Sequence, residues 1–147
     1  MSTAMAEEKK VRTIAEEEQE FIQEFNELED WLIQYQALLE LTSDMEKLYE
    51  TERTEENRIH SCQAKLWLVL GYENGKISVR ADSESLIVKG IVGVITALFH
   101  HRTPEEVRRA DITFMDKTDI ARQISTDRYK GMQLIIRKIK KFADSCE

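Results

Sequence analysis

The chain has 147 residues, 41% of them hydrophobic, and a formal charge of −7, which suits one domain with one core that buries roughly 68–70% of its unfolded surface. The acidic balance argues against nucleic acid, because phosphate binding needs clustered cations that displace counterions. The longest apolar stretch, 86–99, is interrupted by Lys89 and falls short of the ~20 residues a membrane span requires.

Residues 1–12 are small, charged and unpatterned and are expected to form a flexible extension, leaving 13–147 as a single domain. Phe21, Phe25, Leu28, Leu32, Tyr35 and Leu39 follow the spacing of one helix face, and Glu17, Glu20, Glu24, Glu27 and Asp30 stay outside it, so one long amphipathic helix is predicted. Thr42 to Asp44 ends it, with a short helical turn at 45–49 and an exposed polar loop over 50–59. Cys62 then opens a strand-like run through Leu66, Trp67, Leu68, Val69 and Leu70. Glu73 to Gly75 supplies turn chemistry and Ile77 to Ala81 returns with alternation, which makes an antiparallel hairpin with room for a third strand.

Asp82 or Ser83 is placed to cap a helix over 84–99 that is apolar nearly all round and therefore central, with Gly90 and Gly93 letting it approach the sheet closely. Thr103, Pro104 and Glu106 are a strong helix start, and that helix ends near Ala110. A short helix is expected over 116–123. Ser125 caps the last helix, whose inward stripe is Met132, Ile135, Ile136, Ile139 and Phe142. Arg137, Lys138, Lys140 and Lys141 read as its solvated face, where cations suit the helix dipole. Helix, hairpin and several helices in that order give an α+β class with helices covering a small antiparallel sheet.

The chemistry centres on Cys62, delivered by the polar run N-R-I-H-S-C from Asn57 into an apolar strand. A thiol at such a junction can be shielded yet reachable, as a covalent carrier of a reactive group requires. Cys146, next to the last residue, reads as incidental on a frayed end. A Cys62–Cys146 disulfide is formally open, although an acidic chain without a signal-peptide core fits a reducing cytoplasm.

Three segments together, 53–67, 81–90 and 125–132, resemble the SufE family, the sulfur acceptors that work with a cysteine desulfurase in iron–sulfur cluster biogenesis. Cys62, Gln63 and Trp67 look like its G-C-Q-S-x-V-W signature. Asp82, Ser83, Ile87, Val88 and Gly90 match its x-D-S-D-x-x-I-V-x-G stretch, and Ser125, Arg128 and Gly131 match its S-P-S-R-x-x-G element. Ser61 stands where the family has glycine, Ala64 where it has serine, Glu84 where it has a second aspartate and Thr126 where proline is common. These departures touch loop conformation and partner fit rather than the thiol.

The resemblance implies a SufE/IscU-like fold, a persulfide on Cys62, and His60, Gln63, Asp82, Glu84 and Arg128 as supporting or partner-contact residues. It implies a SufS-type cysteine desulfurase as donor, a downstream iron–sulfur scaffold as recipient, and a cytoplasmic carrier that stimulates the desulfurase without independent turnover. No organic cofactor or metal is expected on this chain, because pyridoxal phosphate belongs to the partner. The thiolate could be favoured by His60, Arg58, Lys65, Arg128 or a helix N-terminus, with Ile59, Leu66 and Trp67 sheltering the sulfur and a mobile 54–60 approach releasing it. Competing readings are an IscU-like iron–sulfur or zinc scaffold in which His60, His100 and His101 join Cys62, a Cys–His enzyme, and a structural adaptor.

Overall fold

A computed structural model describes residues 12–60 and 64–146. The first helix, α1 (Ile14–Glu27), starts with a reciprocal capping box: Thr13 Oγ1 accepts the Glu16 amide at 3.0 Å, and the Glu16 carboxylate accepts the Thr13 amide at 2.9 Å. The expected single long helix is in fact two, because α1 stops and α2 (Trp31–Thr42) starts afresh with Asp30 accepting the Ile33 amide at 3.1 Å. A side-chain carboxylate that competes for a backbone amide favours a new N-terminus over a continued helix. Leu28 is already extended, at φ −71° and ψ 131°.

The break shifts the phase of the apolar stripe. Gln34 and Leu38 are the buried positions of α2, so Leu32, expected inward, is 67% exposed. Gln34 also fastens the break by donating from Nε2 to the carbonyls of Phe25 (3.3 Å) and Leu28 (3.4 Å), near the carbonyls that a helix end leaves without partners. On the buried face of α1, Glu18 accepts the amides of Thr113 (2.7 Å) and Phe114 (2.9 Å) and ties the helix to the distant 113–114 segment.

Residues 45–49 form no helix, and a 3-10 turn occupies Glu50–Glu52 instead. The hairpin is β1 (Leu66–Glu73) with β2 (Lys76–Ser83), in register from Leu66↔Ser83 to Glu73↔Lys76. Asn74 and Gly75 both take positive φ, 56° and 77°, as a two-residue turn matched to strand twist requires. β1 starts at Leu66 rather than at Cys62. No third strand forms among the described residues; the free edge of β1 is met by a single bridge, Arg58↔Trp67.

Asp82 and Ser83 belong to β2, so the cap of α3 (Leu86–Phe99) is Ser85, whose hydroxyl accepts the Val88 amide. α3 is the central helix as expected, buried at Val88, from Gly90 to Ile95 and again at Leu98 and Phe99, while Leu86 is exposed. The glycines serve helix–helix contact rather than contact with the sheet: a Cβ on Gly90 would lie 3.0 Å from the Leu38 carbonyl oxygen on α2, and one on Gly93 3.1 Å from Met45 Sδ. α4 (Pro104–Arg109) carries the expected capping box, α5 is confined to Ile120–Gln123, and α6 (Thr126–Asp144) starts at Ser125. α6 buries Met132, Ile135, Ile136 and Ile139 but leaves Phe142 only half-buried. Cys146 is not on a frayed end, since its thiol is buried and donates to the Phe142 carbonyl at 3.3 Å.

His100 caps the C-terminus of α3, accepts the Val79 amide through Nδ1 at 3.0 Å and stacks on His101 at 3.8 Å. Burial, then the neighbouring His101, hold it below the ordinary imidazole value of 6.5, against an opposing pull from Glu46. The unfolded chain therefore takes the proton first as pH falls. The contribution of His100 to stability is complete above the unfolded value and is lost as pH drops toward the folded one.

Two outcomes follow from this packing. Gly90→Ala forces a methyl against the Leu38 backbone and is expected to cost about 1–3 kcal/mol in urea unfolding, whereas Gly93→Ala meets only a flexible methionine end and is expected to cost less. Replacing His100 by asparagine keeps an acceptor for Val79 but removes the titration, so the fall in unfolding free energy between pH 7 and pH 5 should be shallower than in the parent. An equally steep fall would assign the acid sensitivity to other groups.

Candidate functional site

The sequence places the nucleophile at Cys62, and Ser61, Cys62 and Gln63 lie outside the described residues. What the structure describes is the frame on either side of them. Upstream, the Ile59 amide donates to the Leu66 carbonyl at 2.8 Å and the Leu68 amide to the Asn57 carbonyl at 2.8 Å, so 57–59 lies antiparallel along β1. Asn57 is held in turn by its side-chain amide on the Glu52 carbonyl at 2.8 Å. Ile59 is buried. Residues 57–59 of the approach to the cysteine are therefore fastened along β1.

Downstream, the Lys65 carbonyl accepts two hydrogen bonds, from Ser83 Oγ at 2.7 Å and from the Glu84 amide at 3.0 Å. The Ser83 hydroxyl accepts the Ser85 amide at 3.1 Å as well, so this buried serine joins the end of β2, the start of α3 and the residues that follow Cys62. The D-S-E-S run thus acts on the cysteine segment through Ser83 and the Glu84 backbone. The Glu84 carboxylate is exposed and lies 4.0 Å from Lys65 Nζ, a distance and setting that contribute little.

Asp82 has a different environment. Its carboxylate is nearly buried, takes the Ser83 amide at 2.8 Å and Lys89 Nζ at 3.2 Å, and pairs with the Arg53 guanidinium. The same guanidinium lies 5.7 Å from the Trp67 ring centroid, in cation–π range. One acidic group therefore gathers the segment after the 3-10 turn, β1 and α3 around a single point. Beside it, Glu52 grips Arg80 with both oxygens, one at 2.8 Å. That pairing lowers the titration range of Glu52 and raises that of Arg80.

The other residues singled out from the sequence are dispersed. His60 is exposed and its Nε2 lies 3.1 Å from Glu55, which also lies 3.7 Å from Arg58. Arg128 is half-buried in the first turn of α6, its amide on Ser125 Oγ at 3.2 Å, and no hydrogen bond or ion pair joins it to His60, Asp82 or Glu84 among the described residues. His100 and His101 stack on each other. Sequence reasoning missed Arg53, Ser83 and Lys89 as site residues. Ser83 and Arg53 stood inside the matching segments, but a pairing across 29 positions leaves no periodic signal to read.

Among the described residues no helix is long and apolar enough to cross a membrane. The fold is shared with a hypothetical protein from Thermus thermophilus, known from its solution structure: 18% identity over 87% of this chain and 93% of that one, with a TM-score of 0.72. Residues 19–143 match the family model SufE, described as an Fe-S metabolism associated domain. That match contains the hairpin, the fastened segment on either side of Cys62 and the Asp82–Ser83 cluster, and the chain belongs to the SufE family.

Proposed function

We propose that this protein accepts sulfur from the persulfide of a SufS-type cysteine desulfurase onto Cys62, stimulates that enzyme by relieving it of sulfur, and passes the sulfur to iron–sulfur cluster assembly in the cytoplasm. The Cys62 thiolate attacks the outer sulfur of the donor persulfide. A new S–S bond forms on Cys62, the S–S bond on the donor breaks, and its electron pair leaves on the donor cysteine as a thiolate. Transfer to the next acceptor repeats the exchange with the roles reversed. The only cofactor in the cycle is the partner's pyridoxal phosphate.

The observation that carries this reading is a thiol-bearing segment, 60–65, strapped by backbone hydrogen bonds at Ile59 and at Lys65 inside a chain that matches a family of Fe-S metabolism. Three residues separate Cys62 from either strap, and three residues of chain reach at most about 11 Å. A nucleophile so tethered reacts within a small volume, which lowers the orientational cost of exchange with a docked donor. Gln63, beside the thiol, is assigned to partner contact together with Glu84, whose carboxylate is exposed. Asp82 is assigned to holding the frame. Arg58 and Lys65 are the local cations that favour the thiolate, balanced in part by Glu55 and Glu84, and the His60 imidazole, beside Glu55, is a further supporting group.

Incubation with a SufS-type desulfurase and free cysteine should add the mass of one sulfur atom to the intact protein, and cyanide or dithiothreitol should remove it. Cys62→Ser should stay unloaded and Cys146→Ser should load normally; a Cys62→Ser protein that still gains sulfur ends the proposal. Ser83→Ala removes one of the two donors to the Lys65 carbonyl. It is expected to cost about 1 kcal/mol of stability and to slow loading several-fold at saturating desulfurase. A loss of stability with an unchanged loading rate would give Ser83 a structural part only.

A further inference from the structure

The four cations near the C-terminus of α6 do not share one role. Lys140 is a tether, its Nζ bonded to the Ala110 carbonyl across to the end of α4. Arg137 is exposed and does not line the trough that two of the others share. Lys138 and Lys141, one turn apart on α6, face an open trough of about 400 Å³ between α6, β1 and the 56–59 segment. Its floor is apolar, from Ile59, Leu68, Leu70 and Phe142, and Arg58 lines the wall beside them.

Charge in this trough is unbalanced. Neither lysine has an ion-pair partner among the described residues, in a chain with 28 acidic and 21 basic side chains. The Nε of Arg58 is buried without an acceptor, and among the described residues the carboxylate that Arg58 meets is Glu55 at 3.7 Å. Of the acidic groups nearby, Glu56 lines the trough and Glu55 is shared with His60. Cations in the last turn of a helix suit its dipole, but of the four only Lys141 lies in the last turn of α6, so the dipole does not account for Lys138 turned toward the same apolar floor.

We infer that this trough is the docking surface for an acidic, partly apolar segment of the partner desulfurase, with carboxylates against Lys138, Lys141 and Arg58 and an apolar side chain on the Ile59–Leu68 floor. The inference rests on the carrier reading and adds to it where the partner binds. A second copy of this chain is a poor occupant, since association would set a charge of −7 against −7. The trough also adjoins Arg58 and Ile59, four and three residues before Cys62, so a segment seated in it holds its protein beside the sulfur-bearing stretch. Complementary charge of this kind governs encounter and register more than chemistry.

The test is stimulation of a SufS-type desulfurase titrated with the full-length protein at low and at raised salt. The Lys138→Glu/Lys141→Glu variant should need at least ten-fold more protein for half-maximal stimulation, reach the same maximum, and lose most of the salt dependence. Lys138→Gln/Lys141→Gln should fall between it and the parent, and Arg137→Glu, on the same helix but off the trough, should match the parent. Unchanged half-saturation in the double reversal, or an equal weakening in Arg137→Glu, overturns the docking assignment. Sedimentation that shows the parent to be a dimer dissociated by the double reversal overturns it in favour of self-association. The carrier reading is judged separately by Cys62→Ser, which should stay unloaded, whereas the lysine variants keep Cys62 and should still load at saturating desulfurase.

Discussion

Every other feature of the site depends on the start of β1 being held at both edges. β2 runs along one edge in unbroken register, and the Asn57–Ile59 segment holds the other through two backbone bonds of 2.8 Å. A strand with an unpaired edge exposes a row of backbone donors and acceptors and is free to slip. Here, a slip of one residue would turn Leu66 and Leu68 out of the core and carry the cysteine segment with them. Double pairing therefore fixes where residues 60–65 begin and end.

The Asp82 cluster shows how that frame resists deformation. A carboxylate taken out of water costs several kcal/mol, and opposite charges offset this only with good geometry and further hydrogen bonds. Asp82 has both, with Arg53, Lys89 and the Ser83 amide converging on it. The three elements that meet there come from separate parts of the chain, so the arrangement selects one mutual position for them more than it adds stability. Removing one partner would leave charge buried and uncompensated, which is the costly case. The Glu52–Arg80 pair, nearer to solvent, links the 3-10 turn to β2.

Legibility in the sequence followed the range of the interaction. Local signals were readable: the Thr103–Pro104–Glu106 start, the Ser125 cap, the Asn74–Gly75 turn and the stripe of α6 all stand where short-range chemistry puts them. The long amphipathic stripe misled at Asp30, where an N-cap preference outweighed a well-spaced apolar face and rotated everything after it. The glycines of α3 were correctly read as permitting close approach, but the partner was α2 because the crossing point at Leu38 is a tertiary fact. Of the site, the matching segments contained Asp82 and Ser83, yet nothing local distinguishes a serine that caps a helix from one that straps a carbonyl 18 residues earlier.

The division of cations between structure and surface bears on how such a protein can be both fixed and receptive. Arg53, Arg80, Lys89 and Arg102 are committed to carboxylates inside the fold, and those pairs are partly shielded from salt. Lys138 and Lys141 are exposed and have no ion-pair partner among the described residues, so their field reaches solvent within a Debye length of roughly 8 Å at physiological ionic strength. In an acidic protein, a small cationic trough offers a local attraction to an acidic partner, and this biases the orientation of that partner before contact. Under the proposed function that bias matters more than tight binding. A carrier has to release one partner to reach the next, and steering raises the rate of encounter without deepening the bound state.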